Sequence, residues 1–283
     1  MSSSKKHITQ RIAQLDAWQD HQEIVYLLTC HVYPWDIERA LEFALFRTYA
    51  VPAISGLLAQ TGELTKRPQK RYDDTEIIMF ILAEHGYDSE PGRKALRRMN
   101  QMHGRFSIPN DQMLYVLTTF IYEPTRWIER YGWRASAENE KLATFYFYRE
   151  VGRRMNIKNI PDDYYELEQF NIEYERQNFR YAPSNRAVGD ATCDLFLGFY
   201  LPKLFWPLGR PLLYAMMDEP LLDAFGFPHP SPLLRKVAAG GLKLRSKIMR
   251  YWPESDRPVL GSQRKRPTYP KGYKIEELGT FGQ

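Results

Sequence analysis

Cysteine is scarce in this chain: only Cys30 and Cys193 occur in 283 residues. Two isolated thiols exclude a zinc tetrad, a disulfide framework and a Cys-x-x-Cys redox pair, and they fit a reducing, cytoplasmic compartment. Long apolar runs are absent too. The opening Met1-Ser-Ser-Ser-Lys-Lys-His7 lacks the apolar centre of a signal peptide, and no uninterrupted stretch is long enough to cross a bilayer. The nearest approach, Leu195 to Leu213, is broken by Pro202, Lys203, Pro207 and Arg210. The expectation is therefore a chain without a transmembrane segment, with peripheral membrane contact through this stretch or through the basic tail. Charge of one sign is in only modest excess. The net +5 gathers between Gln263 and Lys274 and at Lys5 and Lys6, which reads as basic ends and not as a nucleic-acid-binding face.

Several chemistries lack their motifs. There is no Gly-x-x-x-x-Gly-Lys-Ser/Thr loop, no Gly-x-Gly-x-x-Gly and no Gly-x-Ser-x-Gly elbow. A di-iron bundle needs paired Glu-x-x-His motifs, whereas Glu84 and His85 are adjacent. A facial iron triad built from His21, His31 and His85 stays open on the sequence alone.

What is present is apolar and aromatic content, 43% and 14%, enough for a substantial core and an enclosed pocket. The patterning is helical, and alternating strands bounded by hairpin turns are missing. Amphipathic spacing predicts helices over 5–20, 35–50, 136–154, 162–179, 185–200, 208–224 and 231–251. Residues Met113 to Tyr122 are apolar almost all round, as in a central helix, which Pro124 should kink or end. The expected fold class is all-α, one globular helical domain over residues 1–251. A basic, Pro-rich tail over 252–283, extended or disordered, follows it.

The candidate chemistry lies between Arg71 and His103. Asp73 and Glu76 have capping-box spacing ahead of Ile77 to Leu82, so a helix starts near Asp74, after a loop from Gly62 to Gln69, and ends at Gly86. Beyond a turn at Ser89 to Gly92, Ala95, Met99, Met102, His103 and Phe106 recur at helical spacing and turn His103 inward. A lone histidine on an apolar face is ordinarily a satisfied core residue. Here Arg97, Arg98 and Arg105 flank it, and guanidinium groups suit carboxylates such as haem propionates, although a solvated helix face explains the same arginines. Arg71 and Thr75 stand about one helical turn apart, so both can face one cavity. One imidazole opposite a small polar cluster is what a haem iron and its dioxygen require.

The strings Tyr49-Ala-Val-Pro-Ala-Ile-Ser55, Arg71-x-x-Asp-Thr75, Met99-Asn-Gln-Met-His103, Asn110-Asp-Gln-Met-Leu-Tyr115, Phe120-Ile-Tyr-Glu-Pro-Thr-Arg-Trp127 and Tyr148-Arg-Glu-Val-Gly-Arg-Arg154 occur in that order. From about Leu41 to Tyr174 the chain thereby resembles the oxygenase family of latex-clearing rubber oxygenases and the MpaB-type oxygenase of mycophenolic acid biosynthesis. Asp218 to Leu221 and Phe225 to Pro228 also look like the MpaB branch. The resemblance implies a haem pocket between central helices, with a haem b (iron) cofactor, His103 as its axial metal ligand, and Arg71 and Thr75 on the oxygen side. It further implies cofactor contacts from Arg98, Asn100 and Arg149, with Arg210 another candidate for the propionates. Two positions depart from the rubber oxygenases: Asp74 stands where they carry lysine, and Asn100 where they carry arginine. Both departures lean toward the MpaB type, and Asp74 becomes the candidate base.

The implied reaction is oxidative cleavage of a carbon-carbon double bond in an isoprenoid or other lipophilic small molecule, with dioxygen as co-substrate. An apolar tunnel along Met113–Tyr122 and Phe145–Tyr148 would hold the chain. Two other readings remain at this point: a non-catalytic haem or lipid carrier, and a cofactor-free helical interaction protein in which His103 is a core residue.

Overall fold

Nineteen prolines are many for a helical chain, yet proline stands in the first turn of eight helices, where its missing N–H has no partner to lose. The computed structural model describes residues 3–252 and 257–279, with side chains from residue 7 onward. Lys5 and Lys6 side chains, residues 253–256 and residues 280–283 of the expected tail lie outside the described residues. Among those described the fold is all-α. An isolated antiparallel bridge between Arg266 and Tyr269 is the only extended pairing there.

The chain begins with α1 (Ser3–Gln14) and α2 (His21–Leu27), which runs into a π-helical turn, Leu28–Val32. Then come α3 (Pro34–Thr48), α4 (Pro52–Thr61), the short α5 (Glu63–Lys66) and α6 (Pro68–His85). A hairpin leads to α7 (Glu90–His103), followed by α8 (Asn110–Tyr131), α9 (Glu138–Arg154) and α10 (Tyr164–Asn178). The last group is α11 (Pro183–Tyr200), α12 (Trp206–Tyr214), α13 (Glu219–Phe225) and α14 (Pro232–Tyr251).

At the centre, α8 lies along α3, with α9 and α10 against its other sides. Pro124 does not end α8, the second of the two outcomes expected of it; the helix continues through it to Tyr131. An interior proline costs about 3 kcal/mol. Against that, α8 buries Leu114, Leu117, Phe120, Ile121, Trp127 and Ile128, each contributing roughly 2 kcal/mol, so packing decides the outcome.

Three further differences follow from local chemistry. The expected loop at Gly62–Gln69 is helical, because Pro68 opens α6 instead of stopping it, and Asp73 is consequently mid-helix and not a cap. The expected helix over 208–224 is two, with Asp218 capping α13 through Leu221 N at 3.1 Å while its Oδ2 accepts from the half-buried Arg47 at 2.7 Å. Phe106, expected inward, lies beyond the end of α7 and is 41% exposed.

The largest departure is the tail. Residues 257–279 return across α6 and α7 and bury Leu278 completely. Val259 N donates to Cys30 O, a carbonyl in the π-helical turn, at 2.8 Å. Arg266 and Glu76 form a buried ion pair, and Ser262 N donates to Glu84 at 3.0 Å. The segment is irregular in backbone but packed, and it covers the face of α6 opposite the candidate site.

Candidate active site

Glycine brings the two halves of the site together. Gly86 ends α6 with φ +75°, and Ser89 caps α7, accepting from Gly92 N at 3.0 Å and donating to Gly86 O at 2.8 Å. A side chain at Gly92 would begin 2.0 Å from Gly86 O, so the turn closes only with glycine there. The two helices run antiparallel, which sets the start of α6 beside the end of α7. Arg71 therefore comes near enough to His103 for its charge to act on the imidazole, although the two are distant in sequence.

At that end His103 is held in its neutral form. Burial, and then the nearby Arg71 guanidinium, push its pKa down to about 4. Its Nδ1 is buried and accepts no hydrogen bond. An unpartnered polar nitrogen in the interior is costly, and a ligand would offset that cost. On α6 the Arg71 guanidinium donates to Thr75 Oγ1, and Thr75 Oγ1 donates back to Arg71 O at 2.9 Å. These contacts aim Arg71 into a narrow cavity of about 20 Å³ that Thr75 also lines, with Leu45 of α3, Tyr49 just beyond that helix, Leu64, and Leu195 and Phe196 of α11. Arg71 also acts on the Tyr49 phenol, which burial otherwise pushes up.

The remaining sequence candidates lie elsewhere. Asp74 is one residue round the helix from the cavity face, and both its oxygens are occupied. Lys70 Nζ donates to them at 3.2 and 2.9 Å, and the Tyr269 hydroxyl donates to Oδ1. Asp74 thus ties the returning tail to α6, and the base role expected of it has no geometric support. Arg98 Nε donates to Leu278 O at 2.6 Å, again holding the tail. Asn100 Nδ2 donates to Arg154 O at 2.9 Å and closes the end of α9. Arg149 pairs with Asp162 at 2.9 Å and lies over the rings of Trp18, Phe145 and Tyr146, so it braces α9. Arg210 joins Asp190 and Asp194 on α11.

Sequence reading passed over Glu42. It is buried, it lines the same cavity, and it accepts from Tyr72 Oη at 2.6 Å and Arg39 Nη2 at 2.8 Å. Burial raises its pKa to about 8; Arg39 and the Tyr72 hydrogen bond oppose the shift, while Glu38 and Glu76 add to it. The available signal was a single carboxylate inside the apolar stretch Ala40 to Phe46, one turn after Arg39.

Sequence comparison decides the family. The ER-bound oxygenase mpaB of Penicillium roqueforti (strain FM164) is 30% identical over 210 residues, covering 68% of this chain and 70% of the relative. The chain belongs to the MpaB-type oxygenase family. The ER-bound oxygenase mpaB' of Penicillium brevicompactum is 29% identical over 237 residues, 77% of this chain, and mpaB of the same species is 28% identical over 221 residues, 71% of this chain. The chain spans 56% of the length of each of these two MpaB-type relatives. No protein-family model matches it. The names of these MpaB-type relatives describe them as ER-bound; in this chain no single helix among the described residues is long and apolar enough to cross a membrane.

Proposed function

We propose that this chain is a haem b-dependent oxygenase that uses dioxygen to cleave a carbon-carbon double bond in a lipophilic, isoprenoid-like small molecule. The observation that carries the reading is the neutral His103 imidazole, its buried Nδ1 without a hydrogen-bond partner and under the charge of Arg71, in a chain of the MpaB-type family. The donor chemistry fits the cofactor. A porphyrin brings four nitrogens of its own and asks one imidazole of the protein, and His103 stays unprotonated at neutral pH. The cavity beside Arg71 holds about 20 Å³, room for a water-sized molecule, so a macrocycle would be seated only with rearrangement of the side chains around it.

Bound there, haem would supply an iron centre for dioxygen chemistry. His103 would hold the cofactor through a ring nitrogen. Arg71, fixed by Thr75, offers a positive charge where negative charge develops, in surroundings dry enough for that charge to count. Leu45, Leu195 and Phe196 exclude water and supply the apolar wall that a prenyl-type chain requires. Glu42 takes the acid–base place on that wall, since a carboxyl with its pKa raised to about 8 can hold or release a proton near neutral pH.

The test is oxygen consumption by haem-loaded protein given farnesylated or other prenylated aromatic compounds, with carbonyl products identified by mass spectrometry. Oxygen-dependent appearance of aldehyde or ketone fragments is the expected result. A red protein that consumes no oxygen with any such compound would contradict the oxygenase reading and leave a haem carrier.

A further inference from the structure

The helix α14 has no buried residue anywhere along its twenty positions. Leu233, Val237, Leu244, Ile248 and Tyr251 are all exposed, Leu233 and Tyr251 at 72%, and their spacing of four, seven, four and three places them in one stripe. Lys236, Lys243, Lys247 and Arg250 are exposed too, each one residue before a member of that stripe. A row of cations therefore runs along the apolar row. The stretch from Pro232 to Tyr251 contains six lysines and arginines and no acidic residue.

The opposite side of α14 is anchored. Arg245 donates to Asp36 at 2.9 Å and its guanidinium lies 3.7 Å from the Trp35 ring centroid, while Met249 packs among apolar residues of the first three helices. The exposed stripe is thus held outward by a fixed helix. Beside it packs α12, preceded by the turn Lys203–Phe205, and this neighbour exposes Leu204 at 82%, Leu208 at 71%, and Phe205 and Leu212. So many large apolar side chains on adjoining elements exceed the scattered leucines of an ordinary surface.

Trp206 of α12 also borders an open cavity of about 360 Å³, lined further by Leu195, Gly198 and Phe199 of α11 and by Pro68 and Gln69 at the start of α6. Leu195 borders the inner cavity of Arg71 and Thr75 as well, so the two cavities share a lining side chain.

We propose that the α12–α14 face docks on an anionic lipid bilayer and sets the open cavity beside Trp206 against it; the use of that cavity by a lipophilic substrate rests on the oxygenase reading above. The chemistry selects the partner. An apolar stripe edged by cations, with aromatic Tyr251 and Trp252 at its end, matches an interface of acyl chains below and negative headgroups above.

The test is sedimentation of the full chain with vesicles of phosphatidylcholine alone and of phosphatidylcholine with phosphatidylserine, at low and high salt. Binding should require phosphatidylserine and weaken with salt. Lys243→Glu with Lys247→Glu should reduce it about tenfold or more, each cation near such a surface being worth roughly a fivefold change. Leu244→Asp with Ile248→Asp should abolish it while circular dichroism stays unchanged, since both positions are exposed. Brominated lipid should quench tryptophan emission in the wild type and much less in Trp206→Phe/Trp252→Phe. Absence of binding to either vesicle, unchanged binding by the variants, or quenching that survives the double tryptophan change would overturn the proposal. So would a dimer in light scattering that Leu244→Asp with Ile248→Asp dissolves, because a second copy would then cover the face. None of these readouts needs bound haem or turnover, so failure here and failure of the oxygenase reading are separate results.

Discussion

At the scale of single residues the account turns on which side chains face which side of α6. Arg71 and Thr75 share the cavity side, whereas Lys70 and Asp74 share the side covered by the tail. Arg71→Ala should therefore leave haem bound and lower turnover about 10²-fold or more, the usual result of removing a charge-stabilising donor; loss of haem with retained helicity would place Arg71 on the other side of the cofactor. Glu42 gives a pH prediction. Its folded pKa of about 8 lies above its ordinary 4.5, so the folded chain holds the extra proton between those values. Its contribution to stability is full below about pH 4.5 and is lost as pH rises through about 8. The unfolding midpoint should fall across this window, and Glu42→Gln should flatten that part of the profile in calorimetry at several pH values. A Glu42→Gln profile parallel to that of the wild type would remove this carboxyl as its source. Helical spacing and family motifs both single out Arg71, Thr75 and His103, and the structure brings Arg71 and Thr75 to one cavity with the Arg71 charge acting on His103. The contacts of Asp74 were not legible, because its partners, Lys70 and Tyr269, include a residue far along the chain that no local pattern announces.

At the scale of elements, most helices were legible from amphipathic spacing, and the errors have one cause. Pro68, Pro124 and Asp73 each carry a strong local preference, to break, to break and to cap, and in each case the preference was outweighed. Pro68 sits at a position where a helix tolerates it, Pro124 is held by the packing of α8 along α3, and Asp73 accepts from Thr268 N at 3.1 Å and from Gln69 Nε2 at 2.9 Å. The α6–α7 hairpin makes the sharpest test at this scale. Gly92→Ala puts a carbon 2.0 Å from a backbone oxygen that cannot swing aside. It should destabilise the protein by about 2 kcal/mol or more, read from urea unfolding, and weaken haem retention by separating Arg71 from His103. Unchanged stability would mean that the turn is looser than the geometry requires.

For the whole molecule the informative segment is the tail. Its composition reads as extended or disordered, because apolar residues are few and without period. What composition cannot show is complementarity: Arg266 meets Glu76, Arg264 meets Glu38, and Tyr269 meets Asp74, all on helices laid down far earlier in the chain. Arg266→Ala would leave Glu76 buried without its partner. Such a change typically costs about 3–5 kcal/mol, and Glu76→Gln in the same chain should recover part of it, as chemical denaturation would show. Equal stability of Arg266→Ala and wild type would mean that the tail does not pack as described.

The central claim is that His103 ligates a haem iron, and an ultraviolet-visible spectrum of the wild type beside His103→Ala, both purified with haem supplied during expression, tests it most directly. A Soret band present at one haem per chain in the wild type, and lost or shifted in the variant, is the predicted result. A folded, helical wild type without the band, or a variant with the band unchanged, would contradict it.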